Sequence, residues 1–279
     1  MTFLPRGVLA APLGKCATEF RQSFEETFTE VVLKHSSGGG AGPFTPDSLT
    51  LLENQRVLAQ FFSRFILTNP NNYSKLLTLI HGCKRALFGS LNYECLLEQA
   101  AENLGMQVDY ACETDSFDVA SVAKLHGSCN FVVEVPASAK AILASQNIQL
   151  GMNLIYLPVF NLELELNRRF SASDPAYYPV MSQVSPMKEH LVAPGRILGI
   201  RGKWEEGISN AAKLAIIGVS YNKNDSHVLQ PIQKARCPVF YIGGKADFAS
   251  WHALNSNVEH ISDTLENGLG ELAHAVGLT

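Results

Sequence analysis

The stretch Val122-Ala123-Lys124-Leu125-His126-Gly127-Ser128-Cys129-Asn130 decides how this chain is read. A short apolar run ends in a histidine, and a glycine follows at once. Glycine lets the backbone turn sharply and lets a ligand come close to it. Histidine changes its charge near neutral pH, so it can take or give a proton under cellular conditions. At the end of a strand, aimed into a crevice, such a residue suits a general base. Taken alone, a strand-end His-Gly is more often a structural histidine satisfied by its neighbours, so the choice depends on what falls into step with it.

Two further segments do. Upstream, Ser90-Leu91-Asn92-Tyr93-Glu94 leads into the apolar helical sequence Cys95-Leu96-Leu97-Glu98-Gln99-Ala100-Ala101. Downstream, Ala215-Ile216-Ile217-Gly218-Val219-Ser220 is followed by Asn224-Asp225-Ser226-His227. In each, a strand-like run ends in small or polar residues. Ligands of open parallel sheets bind at the carboxyl ends of the strands, so three polar strand ends point to one nucleotide crevice.

From Ala86 onward the chain alternates between strand and helix patterns. Strands are predicted at 86–91, 107–111, 121–126, 130–135, 213–219 and 238–242, and helices at 93–104, 138–146, 203–212 and 258–275. Alternation of this kind predicts parallel pairing with right-handed crossovers. The expected fold is an α/β, Rossmann-like, mostly parallel sheet with helices on both faces and an N-terminal helical segment. Residues 13–80 are expected to be mainly helical, with Leu58, Phe61, Phe62 and Phe65 as an inward stripe. The glycine-rich run Ser36 to Pro43 has no strand before it and no lysine after it, so it reads as a linker rather than a phosphate loop. Residues 147–200 read as an irregular lid or insertion, although Asn153 to Val159 is a candidate strand. The whole of residues 1–279 is expected to form a single domain.

Composition supports a globular protein: 46% of residues are hydrophobic and 17% charged. The net charge of -4, with no Lys/Arg cluster, argues against direct nucleic-acid binding. No apolar stretch is long enough for a bilayer, and Pro5 and Arg6 fall where a signal peptide needs its apolar heart, so no membrane partner and a cytoplasmic location are expected. The six cysteines include no closely spaced pair, which argues against a structural zinc site; free buried thiols and no metal are expected.

Asn92-Tyr93-Glu94, Lys124-Leu125-His126-Gly127 and Gly218-Val219-Ser220 through Asp225 resemble, in order and rough spacing, the Asn-aromatic-Asp, Lys-Leu-His-Gly and Gly-x-Ser…Asp segments of sirtuin-like domains. The closing strand Pro238 to Gly244 and the last helix fit the same scheme. The resemblance is to bacterial sirtuin-like proteins rather than to protein deacetylases, whose zinc module is absent. It implies an NAD glycohydrolase that takes NAD as substrate and cleaves the nicotinamide–ribose bond, as in anti-phage defence effectors. Asn92 and His126 would be catalytic; Arg6, Gly7, Glu94, Gly218, Ser220 and Gly243 would bind the nucleotide. A homo-oligomer and a separate defence-system subunit are the implied partners.

The chain departs from that scheme in two places. Where the family has a glycine-rich loop, this chain has Pro5-Arg6-Gly7-Val8-Leu9-Ala10, with one loop glycine. Arg6 fits either a replacement phosphate contact or a pocket that no longer takes dinucleotide. Glu94 stands where Asp is usual, one methylene longer. Asn92 also reads as a helix N-cap, and Ser220 as a turn residue with Asp225 capping the next segment. The alternative function is therefore a catalytically inactive module that binds a nucleotide, an ADP-ribose-like ligand or a partner subunit.

Overall fold

A computed structural model describes residues 55–80, 86–114, 116–134, 158–163, 177–182 and 192–278. The chain divides into two compact units, one comprising Met1–Phe65, Leu91–Cys95 and His126–Leu198, the other Ile66–Ser90, Leu96–Leu125 and Gly199–Thr279. Among the described residues the architecture is mixed α/β, with two parallel sheets flanked by helices and one antiparallel sheet.

The second unit holds both parallel sheets. In the first, β1 (Leu87–Ser90) and β2 (Gln107–Asp109) flank β3 (Val119–Lys124). Ala120, Val122 and Ala123 of β3 are fully buried, as a central strand covered on both faces requires. Helices α1 (Asn72–Ile80) and α2 (Leu96–Asn103) pack on each other, and α2 packs on β2. Helix α3 (Pro194–Asn210) opens on a proline, whose fixed φ and missing N–H suit a first helical position. Its Trp204 lies so close over β1 that a Cβ on Gly89 would sit 2.5 Å from the indole. Glycine is therefore needed there for helix and strand to approach.

In the second parallel sheet, β8 (Val239–Ile242) lies between β7 (Leu214–Ile217) and β9 (Val258–Ser262). Helices α4 (Ser226–Lys234), α5 (Lys245–Leu254) and α6 (Leu265–Val276) complete the alternation. Strand side chains alternate between faces, and both faces of β8 are covered. Phe240 and Ile242 pack with Leu272 of α6 and with Leu76 of α1. Tyr241 stacks on Phe248 of α5, with ring centroids 6.3 Å apart. Burying each such side chain contributes roughly 1.5–3 kcal/mol.

Two predicted elements need correction. Residues 258–275 do not form one helix: Val258–Ser262 is the third strand of its sheet, and the helix begins only at Leu265. Thr264 separates them, its hydroxyl accepting from Asn267 N–H as an N-cap. Helix α3 starts well before the predicted 203, inside the stretch read as irregular.

The first unit carries helical residues 55–62 and the antiparallel sheet, in which β4 (Gly127–Glu134) lies between β5 (Val159–Asn161) and β6 (Tyr177–Met181). Strands β5 and β6 both fall within residues 147–200, so those parts of it are regular. The predicted stripe is aromatic core: Phe61 lies 5.3 Å from Phe62 and 5.1 Å from Phe65 between ring centroids. The predicted helix at 138–146 and residues 13–54 lie outside the described residues. Among those described, no helix is long and apolar enough to cross a membrane.

One loop after a strand end is fixed by a carboxylate. Asp109 closes β2, and its Oδ1 accepts from the N–H groups of Ala111 and Cys112 while Oδ2 accepts from those of Glu113 and Thr114, at 2.8–3.2 Å. Cys112 takes a left-handed φ of 57° to aim its amide inward. Partial burial pushes the carboxyl up, but the donated hydrogen bonds outweigh it and hold it below the usual 3.8. A depressed carboxylate stabilises the fold above its ordinary range, and that contribution is lost as pH falls through the lowered value. Asp109→Asn should therefore cost about 1–3 kcal/mol at neutral pH. The gap from the wild-type protein should narrow below pH 3.8, as followed by denaturant unfolding.

Candidate functional site

His126 and the Asn92 loop meet in the first unit. Asn92 follows the last residue of β1 by two positions, and His126 follows the last residue of β3 by two. Strands β1 and β3 run parallel with Ser90 opposite Lys124, so the chain leaves both at the same edge. The two segments are then tied together. Cys129 N–H donates to the Tyr93 carbonyl at 2.9 Å, and His126 offers its carbonyl to Ser182 N–H at 2.7 Å. The Tyr93 hydroxyl donates to the Ser182 carbonyl at 3.2 Å.

The rings stack along the same path. Phe62, from helical residues 55–62, lies 5.5 Å from Tyr93, and Tyr93 lies 6.1 Å from His126 at an interplanar angle of 37°. Gln55, on the same helical stretch and only 2% exposed, donates from Nε2 to the Met181 carbonyl at 3.0 Å. The N-terminal helical stripe thus braces the tyrosine that packs on the histidine. His126 is 5% exposed, whereas Asn92 is exposed. The imidazole packs against the Tyr93 ring.

The capping alternative for Asn92 does not hold. Helix α2 begins at Leu96, which makes Cys95 its cap position and leaves Asn92 outside it. Glu94 lies beside it, half-buried. Arg6 and Gly7 lie outside the described residues.

Neither a protein-family model nor a curated protein matches this chain. Its chemistry has to be read from its own residues.

In the second unit, Gly218 and Gly243 end adjacent strands. Gly218 N–H donates to the Ile242 carbonyl at 2.8 Å, and Gly243 N–H donates to that of Ser262 at 2.9 Å. Gly218 takes a φ of 64°, a conformation that favours glycine, and turns the chain away from β7. The loop it opens, which includes exposed Ser220, is held by α5. Trp251 Nε1 donates to the Val219 carbonyl at 3.1 Å, and Asp247 accepts from Tyr221 N–H at 3.0 Å. Asp225 occupies the N-cap position of α4, but its side chain makes no capping hydrogen bond there. Its backbone carbonyl instead accepts from Val228 and Leu229.

Sequence reasoning had not singled out Tyr93, Gln55, Asp247 or Trp251 as supports. Gln55, Asp247 and Trp251 lie in no motif, and Tyr93 was read only as part of the Asn92 segment; the folded contacts reveal them as supports.

Proposed function

We propose that this chain is a metal-independent NAD glycohydrolase, with Asn92 and His126 at the reacting ribose. The observation that carries the reading is the packing of Tyr93, the chain neighbour of exposed Asn92, on the buried ring of His126.

The reaction breaks the bond between the nicotinamide nitrogen and the ribose anomeric carbon. The bond electrons leave with the nitrogen, so nicotinamide departs neutral and positive charge builds on the sugar. Water adds to the anomeric carbon, and its proton is taken up by a base, giving ADP-ribose. Asn92 orients the sugar with an amide that both donates and accepts. His126 is the base for the attacking water or a ribose hydroxyl. The resemblance to sirtuin-like domains would make Glu94, Arg6, Gly7, Gly218, Ser220 and Gly243 contacts to the dinucleotide. In this proposal the protein works in the cytoplasm as an oligomeric anti-phage effector, switched by a separate subunit.

Nicotinamide release from NAD by the purified, assembled protein should fall about 100-fold or more in Asn92→Ala and in His126→Ala, the usual scale for losing a positioned acid or base. Equal release by wild type and both variants would remove these residues from the chemistry.

The burial of His126 favours a second reading, in which the module binds the nucleotide without cleaving it. Calorimetric binding of both NAD and ADP-ribose, with no nicotinamide release in the assembled protein, would select that reading.

A further inference from the structure

The loop that carries Asn92 ends in Cys95, and β4 carries Cys129. Neither thiol is in a disulfide, and the two Sγ atoms lie 3.7 Å apart. The residues are 3% and 1% exposed. Ser128 Oγ lies 3.5 Å from Cys95 Sγ, within reach to donate a hydrogen bond to that sulfur. The hydrogen bond from Cys129 N–H to the Tyr93 carbonyl keeps the two backbone segments in fixed register. The pairing is absent from any local spacing pattern, because the two cysteines come from segments far apart in the sequence.

We propose that Cys95 and Cys129 are an oxidisable pair that forms a reversible disulfide when a small hydroperoxide reaches them. This rests on the thiol geometry alone and is independent of the hydrolase reading. An S–S bond is about 2.05 Å long, so sulfurs already in contact have only a short distance to close. One thiolate attacks the peroxide oxygen, which breaks the O–O bond, releases one water and leaves a sulfenic acid. The second thiol attacks that sulfur and expels its hydroxyl as a second water. Two thiols are oxidised, one hydrogen peroxide is reduced, and two hydrogens leave the protein. The product ties residues 91–95 covalently to β4, next to His126.

The burial of the pair selects the oxidant. A peroxide of two or three heavy atoms can reach such a site during small openings, whereas glutathione disulfide is too bulky to enter. Cys112 and Cys237 are less buried than the pair, and Cys112 Sγ lies 3.9 Å from the carbonyl oxygens of Asp109 and Tyr110. They serve as internal controls for general thiol oxidation.

The test uses the full chain as purified. It is titrated with hydrogen peroxide, denatured with an alkylating reagent present, and digested without reductant before mass spectrometry. The expected result is one linked peptide pair containing Cys95 and Cys129, lighter by two hydrogens than the two reduced peptides and separated again by dithiothreitol. A parallel titration with oxidised glutathione should leave both thiols alkylatable. The proposal is overturned if Cys95 and Cys129 stay fully alkylatable at peroxide doses that oxidise Cys112 and Cys237. It is equally overturned if they appear as separate sulfinic acids or bridge to other cysteines. Because the readout is the wild-type peptide map, it does not depend on a cysteine variant folding.

Discussion

Gly127→Ala should destabilise the protein by about 2–5 kcal/mol, more than the same change at Gly105. Both glycines take a left-handed φ, 80° at Gly127 and 76° at Gly105. An L-residue held there costs about 1–2 kcal/mol. What separates them is space: a Cβ at Gly105 meets nothing within 4 Å. One at Gly127 would strike the Val180 carbonyl oxygen and lie 2.9 Å from Met181 Cα. Both obstacles are backbone of β6, paired to β4 through Gly127 and Met181, and cannot rotate away as a side chain would. Overpacking of this kind adds about 1–3 kcal/mol. Denaturant unfolding of the two variants isolates the steric part, and equal losses would show that the close approach of β4 and β6 does not constrain the chain.

Glu98→Ala should cost about 3–5 kcal/mol, because it removes the carboxylate paired with a buried ammonium. Lys124 and Glu98 are 0% and 1% exposed, with Nζ 3.2 Å from Oε1. The Tyr110 hydroxyl donates to the same oxygen at 3.4 Å, while Glu98 Oε2 is buried with no hydrogen-bond partner. Two charges withdrawn from water gain little net stability from each other, and most of the penalty appears when one partner is removed. The double variant Lys124→Met with Glu98→Leu should therefore recover most of the loss. Recovery of less than a third in a double-mutant cycle would mean that the pair contributes stability beyond mutual neutralisation.

Strands such as β7 and β8 were legible as continuous apolar runs, Leu214-Ala215-Ile216-Ile217 and the fully buried Val239-Phe240-Tyr241-Ile242. Strand β9 was not. Val258-Glu259-His260-Ile261-Ser262 mixes polar and apolar residues and runs into the pattern of α6, and its identity as a strand comes from pairing with β8. Helix α5 was also missed: it is short, packs on β9 and stacks its Phe248 on Tyr241 of β8.

At the candidate site, the polar strand ends carrying Asn92 and His126 could be picked out from local grammar. The supports could not. Lys124–Glu98, Tyr93–His126 and Cys95–Cys129 are each pairs from different segments, and no periodicity within one segment encodes them. The cap reading of Asn92 failed on a boundary of a few residues, since the helix begins at Leu96 rather than beside the asparagine.

Hydrogen exchange of the wild-type protein with and without ADP-ribose, the product that does not turn over, tests the location of the ribose most directly. The account predicts slowed exchange in peptides covering 91–95 and 126–130. Binding that protects other segments and leaves those two unchanged would contradict it.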